Sequence, residues 1–323
     1  MSKQQPPEKI GVEDVKAALR RSGYLIEGRI ARALENRRPE NRPYAVHPNW
    51  VYPDPTTGES RELDVFAEWQ GPVSTLIGFL THGLIIECVN NPQPLVLLTR
   101  GRGSSTAISE LELLKWRTQA AFVPHASSDS PSARQPLSHL LDTSSYHHYF
   151  DVPYATQYCS FQYKQSKNPG EWMAVHEGTH FDSFVKLCDG VDERLAKWDQ
   201  SRDDDPGFDE PVTLLTFLPV LVIQGELYAV DPTRPDVELT TASHLLYQHT
   251  RVVGNHRRAY RIDVVTEKGF ASYLDRVERE TRETASRLVA NEPLIRVGGE
   301  EWVRRKRAER RARHPEPHVR SLS

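Results

Sequence analysis

Cysteine, long apolar runs and charge of one dominant sign are what this 323-residue chain has little of. Its three cysteines, Cys88, Cys159 and Cys188, stand far apart, which excludes a zinc ribbon or a disulfide framework. No stretch approaches the ~18 uninterrupted apolar residues of a membrane-spanning helix, so no membrane partner is expected. The opening MSKQQPPEKIG has no apolar signal-peptide core, and residues 1–11 read as a flexible start to a cytoplasmic protein. Apolar residues make up only 38%, which implies long polar loops beside an adequate core. The net charge is −3, yet residues 301–323 carry eight Lys or Arg against three acids, leaving −8 on the rest. The body is therefore no generic polyanion binder. No internal repeat is present.

Helices are expected over Val12–Arg21 and Tyr24–Asn36, with Ser22 and Gly23 as the break. Period-two alternation marks strands at Tyr44–Val51, Arg61–Trp69, Leu84–Val89 and Leu95–Thr99, and PDPTTGES is the turn between the first two. Leu111–Ala121 reads as a short helix, and the Ser- and Pro-rich 127–138 stretch marks a disordered insertion of about 122–145. YCSFQYK reads as a strand, Glu171–Trp198 as a helix, and Val212–Ile223 as an apolar run holding Pro219. GELYAVD turns back like a hairpin strand, Arg251–Val265 offers one or two more, and Lys268–Ala290 is the final helix. Mixed order without strict alternation implies one α/β domain over 12–298, with a mixed central sheet flanked by helices. A basic tail, 299–323, follows.

Three carboxylates carry the chemistry. Glu62, Asp64, Phe66 and Glu68 share one face of their strand, and Ile85, Glu87 and Val89 share one face of theirs. Pairing the two strands sets Asp64 beside Glu87, two hard oxygen ligands suited to Mg²⁺ or Mn²⁺. Glu87 follows Leu84, Ile85 and Ile86 in a run typical of a strand buried on both faces, where an isolated charge is costly and a partner is expected. Glu27 precedes Ile30, Ala31 and Leu34 by three, four and seven residues, so it points along the apolar face of its helix. The plainer alternatives are a solvated sheet face for Asp64 and an ion pair to Arg29 or Arg61 for Glu27.

The pieces SGYLIEGRIARAL, YPDPTTGESRELDVFA and LIIECVNNPQPLVLL, within Ser22–Leu98, resemble the PD-(D/E)XK or restriction-endonuclease-like nuclease superfamily, in its Mrr-like and Holliday-junction-resolvase-like branches. The resemblance covers about a quarter of the chain and implies a restriction-endonuclease-like α/β core. It implies Asp64 and Glu87 as metal ligands, the carbonyl of Cys88 as a third, and Glu27 as an additional metal or water ligand. The lysine of the Glu-x-Lys motif falls on Val89, which can neither polarise water nor offset charge. Three readings follow. Another element supplies the lysine, with Lys164 or Lys167 as candidates; the metal itself activates the water; or the site is a relic that binds without cutting. The expected function is a Mg²⁺- or Mn²⁺-dependent nuclease hydrolysing DNA, or another nucleic acid, with a protein partner or homodimer compatible. The alternative is a catalytically inactive module that binds nucleic acid or a protein.

A competing motif is HEGTH, His176 to His180, which satisfies H-E-x-x-H. On a helix it sets two imidazoles one turn apart for zinc, with Glu177 as general base, and implies a zinc metallopeptidase. Gly178 weakens such a helix, and no third ligand is evident. In the tail, Arg304, Arg305, Lys306 and Arg307 are candidates for phosphate contact by counterion release.

Overall fold

The apolar run Val212–Ile223 is nearly all buried, as a strand covered on both faces must be, and it becomes the strand about which the protein is built. A computed structural model describes residues 9–54, 57–75, 77–100, 116–125, 130, 132–165, 169–176, 179–201, 211–253 and 255–313. The helices are α1 (Val12–Arg21), α2 (Tyr24–Glu35), α3 (Leu137–Leu140), α4 (His148–Asp151), α5 (Thr179–Ser201), α6 (Phe270–Ala290) and α7 (Glu292–Arg313). The first seven strands are β1 (Ala45–Pro53), β2 (Ser60–Pro72), β3 (Ile77–Val89), β4 (Leu95–Arg100), β5 (Trp116–Thr118), β6 (Phe122–Pro124) and β7 (Arg134–Pro136). The others are β8 (Tyr154–Lys164), β9 (Glu171–Val175), β10 (Val212–Ile223), β11 (Leu227–Val230), β12 (Thr240–Ala242), β13 (His244–Val253) and β14 (His256–Thr266).

The main sheet runs β1-β2-β3-β10-β14-β13-β8-β4-β11-β12, with β5 on β10 and β9 on β8. Its centre is parallel, β3 with β10 and β10 with β14, while β1-β2-β3 and β13-β14 pair antiparallel. The fold is therefore α/β with a large mixed central sheet flanked by helices. Beyond β3, the edge of β10 pairs with β5 over Leu214–Thr216 and with β14 over Val220–Ile223. Pro219, which has no N–H to donate, falls in the gap between the two.

Alternate side chains of the sheet enter two cores. One holds Val65, Leu84, Ile86, Leu218, Val220 and Val265 under α2 and α6, through Ile26, Ile30 and Leu34 and through Phe270, Leu274 and Val277. The other holds Ile85, Val89, Phe217, Leu221, Ile262 and Val264 under α5, through Phe184, Leu187, Val191 and Leu195. These spacings of three, four and seven residues are the apolar stripes that make each helix amphipathic.

Several expectations require correction. Residues 171–175 form β9 against β8, so the helix expected from Glu171 begins only at Thr179. Residues 116–118 form strand β5 rather than the end of a helix, while 111–115 lie outside the described residues. The insertion expected to be disordered, 122–145, contains the β6–β7 pair and α3, anchored by the buried Val123, Leu137 and Leu141. GELYAVD does not fold back on β10; its strand β11 runs parallel to β4 and antiparallel to β12. The basic tail is helical as far as Arg313, because Ile295 and Val303 give α7 a buried side. Residues 1–8 and 314–323 lie outside the described residues. Among the described residues no helix is long and apolar enough to cross a membrane.

Phe184 is fully buried and seats α5 on the sheet. Phe184→Ala is expected to cost about 3–5 kcal/mol of stability, read by denaturant unfolding; a loss below about 1 kcal/mol would show that α5 is not held in this way.

Candidate metal centre

Glu87 lies near the carboxyl end of β3, where the parallel strands β3, β10 and β14 all finish. Such ends, outside a change in strand order, are where open α/β sheets build sites. The antiparallel register of β2 and β3 ends with Val65 opposite Ile86, so Asp64 and Glu87 are the residues that follow the last pair on the two strands. Asp64 Oδ2 accepts the backbone N–H of Cys88 at 2.6 Å. A strand residue turns its N–H and C=O to the same side, so the Cys88 carbonyl also lies on the β2 side. The Val89 carbonyl turns the other way and accepts the N–H of Gln224 at 3.1 Å.

Glu27 reaches the same end of the sheet through a separate tether. The Nδ2 of Asn90, just past β3, donates to the carbonyls of Arg20 at 3.0 Å and Ser22 at 2.5 Å. This holds the α1–α2 junction at the end of β3, with Glu27 in the first turn of α2. The two arginines named as alternative partners of Glu27 pair with other acids, Arg29 with Glu267 and Arg61 with Asp54 and Asp189. Burial raises the pKa of Glu27, the charges of Asp64 and Glu62 raise it further, and the charge of Lys186 lowers it.

The residue that the sequence reading missed is Lys186. Its Nζ donates to Glu87 Oε1 at 3.3 Å and Oε2 at 3.2 Å from above the sheet, on α5. Ser183, one turn earlier and also buried, adds a side-chain hydrogen bond to Glu87. Gly190 lets the helix lie this low, since a Cβ there would come within 2.6 Å of Leu63 Cδ1 and 3.1 Å of Ile85 Cγ2. Lys186 was visible only as a polar position beside the apolar stripe of Phe184, Leu187 and Val191; nothing local shows which strand that stripe covers. Val89, at the motif position, is buried in the α5-side core.

The two lysines named as substitutes do not meet the site. Lys164 is exposed at the end of β8, opposite Glu171. Four strand steps separate β8 from β3, about 19 Å at the usual strand spacing and far beyond a lysine's reach. Lys167 lies outside the described residues.

H-E-x-x-H is not on one helix. His176 follows β9 and its Nδ1 lies 3.1 Å from the Tyr158 carbonyl, whereas His180 is buried in the first turn of α5. Glu177 and Gly178 lie outside the described residues. Burial drives the His180 pKa down to about 4. The helical zinc pair is therefore not formed, because the edge of β8 captures residues 171–175 as a strand. The basic residues of the tail lie on α7, where Arg304 and Arg305 are exposed and Lys306 and Arg307 are half-buried.

Comparison with known proteins returns no match among family models, curated proteins or solved structures. The chemistry therefore rests on the site itself. Asp64, Glu87 and the Cys88 carbonyl form an all-oxygen set suited to a hard divalent cation. Glu27, Asp64 and Glu87 are not drawn together into one group with all donor atoms within 4.8 Å, as the buried histidines around His148 are. An ion held by all three would have to be one that, like magnesium, keeps several of its waters.

Burial and then the charge of Asp64 push the Glu87 pKa up to about 8, against the lowering pull of Lys186. A carboxyl whose folded pKa exceeds its ordinary 4.5 binds more protons folded than unfolded between those values. Stability from this group is thus lost as pH rises from about 4.5 to 8. A divalent cation opposes that loss because it binds the ionised form. The rise in Tm produced by Mn²⁺ is expected to be larger at pH 8 than at pH 6 and absent in Glu87→Gln; an equal rise at both pH values in both proteins would contradict the assignment. Without metal, Glu87→Gln is expected to match the wild type near pH 5 and to be the more stable of the two at pH 8.

Proposed function

We propose that this chain is a restriction-endonuclease-like nuclease that hydrolyses phosphodiester bonds of DNA with Mg²⁺ or Mn²⁺, and that Lys186 takes the part of the lysine its motif lacks. One observation carries the reading: the Lys186 ammonium contacts both oxygens of Glu87 at 3.2–3.3 Å, although it comes from α5 rather than from β3. A lysine two residues along β3 would stand over the same carboxylate. Here that position is apolar, and a helix crossing above delivers the charge instead.

Asp64, Glu87 and the Cys88 carbonyl would hold the ion, with Glu27 assisting through a water. A bound divalent cation lowers the pKa of its water and withdraws charge from the scissile phosphate. Glu87 is fixed in orientation by Lys186 and Ser183, so its oxygens need little rearrangement to bind. Asp64 is fixed by the Cys88 N–H. Lys186 remains about a third exposed, so its ammonium can face a substrate phosphate and stabilise the negative charge that develops there.

The route of the nucleic acid is less marked than the site. The cleft of about 760 Å³ beside α5 is lined by Arg61, Lys197, Arg251 and Arg258, but also by Asp54, Asp189, Asp192 and Glu193. Arg251 and Arg258 pair with these acids, so the cleft offers no strong net positive field. The exposed Arg304 and Arg305 remain candidates for phosphate contact, but α7 packs by Gly299 against Val212, at the end of β10 away from Glu87.

Cleavage of supercoiled plasmid, linear duplex and single-stranded DNA tests the proposal. The wild type is expected to cut with Mn²⁺ or Mg²⁺ and Glu87→Ala to be inactive. Lys186→Met should be slower by about 10²–10³-fold, the usual loss of one positioned charge-stabilising donor, while Lys164→Met keeps full activity. No cutting by folded wild type with either ion, or cutting that survives Glu87→Ala, would overturn it.

A further inference from the structure

The opposite face of the sheet buries a second polar cluster that the proposed nuclease chemistry does not use. Asp263 of β14 is fully buried beneath α6. Two imidazole nitrogens meet at one of its oxygens: His148 Nε2 and His244 Nε2 each lie 2.7 Å from Oδ1. The Tyr273 hydroxyl donates to Oδ2 at 3.0 Å. His148 opens α4 and His244 opens β13, so elements far apart in the chain converge on one atom. The donor atoms of His148, His244 and Asp263 all lie within 4.8 Å of one another.

The far side of His148 is fixed as well. Its Nδ1 lies 2.9 Å and 3.1 Å from the two oxygens of Glu280 on α6, and Glu280 also accepts the His148 backbone N–H at 3.1 Å and Arg276 Nε at 3.2 Å. A carboxylate behind an imidazole keeps the proton on Nδ1 and aims the Nε2 lone pair forward, the arrangement behind most metal-bound histidines. A lone pair aimed at a carboxylate oxygen is repulsive unless a cation stands between them. Without an ion these contacts are met by protons. Against the effect of burial, the charges of Asp263 and Glu280 push the His148 pKa up to about 10, so His148 donates to both, and His244 donates through its own Nε2–H. An ion that takes several ligands can displace those protons at the point where the three donor atoms converge.

We propose that His148 Nε2, His244 Nε2 and Asp263 Oδ1 bind a transition-metal ion of the zinc class, with Glu280 as the carboxylate orienting His148. Two imidazoles and one carboxylate suit zinc rather than the hard cation expected at Glu87. A tetrahedral ion with bonds of about 2.0–2.1 Å separates its ligand atoms by about 3.3 Å. Binding therefore moves both rings outward by about half an ångström. The His244 side chain, 12% exposed, is the point of entry. The ion ties the short helix α4 to the β13–β14 hairpin, and through Glu280 to α6.

The test is zinc titration of the full-length chain, stripped with chelator, against a competing chromophoric chelator, with Co²⁺ absorption as a second reading. The expected result is one equivalent of zinc per chain and the intense visible bands of tetrahedral cobalt. Both are lost in His244→Ala and kept in Glu87→Gln, while Glu280→Gln weakens zinc by about 10–100-fold. Absence of stoichiometric zinc and of cobalt bands in the folded wild type overturns the proposal, and that reading stands even where His244→Ala does not fold. Zinc retained in folded His244→Ala overturns it too, by placing the ion elsewhere, at His176 or His180 for example. Because the two faces are separate, loss of DNA cleavage in Glu87→Ala leaves this result untouched.

Discussion

A carboxylate within a strand covered on both faces has to be compensated, and Glu87 is such a carboxylate. It is only 3% exposed, between Ile86 and Cys88. Removing one charge from water costs several kcal/mol unless it is protonated, paired or metal-bound. Burial pushes its pKa up, and Lys186 and Ser183 pull the other way. The position of α5 follows from the same constraint, since the ammonium reaches Glu87 only if the helix lies low over β2 and β3, which Gly190 permits. The position of α2 belongs to it as well, through Asn90 and the α1–α2 junction.

The central sheet separates two buried polar clusters by a strand, β10, that carries almost none. On the α5 face, Lys186 and Ser183 hold Glu87. On the α6 face, imidazoles and a phenol surround Asp263. The donor types differ, hard oxygen against mixed nitrogen and oxygen, and so do the cations that each would select. Each cluster also joins elements distant in the chain, so the side chains that bring chemistry hold the layers in register as well.

How far the sequence could be read follows from the range of each interaction. α1, α2 and the first four strands were legible because each is set by local pattern: alternation for β2 and β3, and the stripe Ile26, Ile30 and Leu34 for α2. The neighbourhood of Asp64 and Glu87 followed from pairing two such strands. What failed was whatever depends on a distant edge. Residues 171–175 carry apolar side chains that suit a helix or a strand, and the exposed edge of β8 decided in favour of β9. The tail is rich in arginine, yet Ile295 and Val303 make its first half a packed helix. Lys186 could not be assigned because its role depends on which strand α5 crosses. The cluster at His148, His244, Asp263 and Glu280 was missed because its members are spread over more than 130 residues with no common motif.

The central claim is that Asp64, Glu87 and the Cys88 carbonyl form a divalent-cation site overlooked by Lys186. Crystals grown with Mn²⁺, measured for anomalous scattering, test it most directly. The account predicts a peak about 2.1–2.2 Å from an oxygen of Asp64, of Glu87 and of the Cys88 backbone, with the Lys186 ammonium still within reach of Glu87. A well-ordered crystal with no peak there, or with manganese bound only elsewhere, would contradict it.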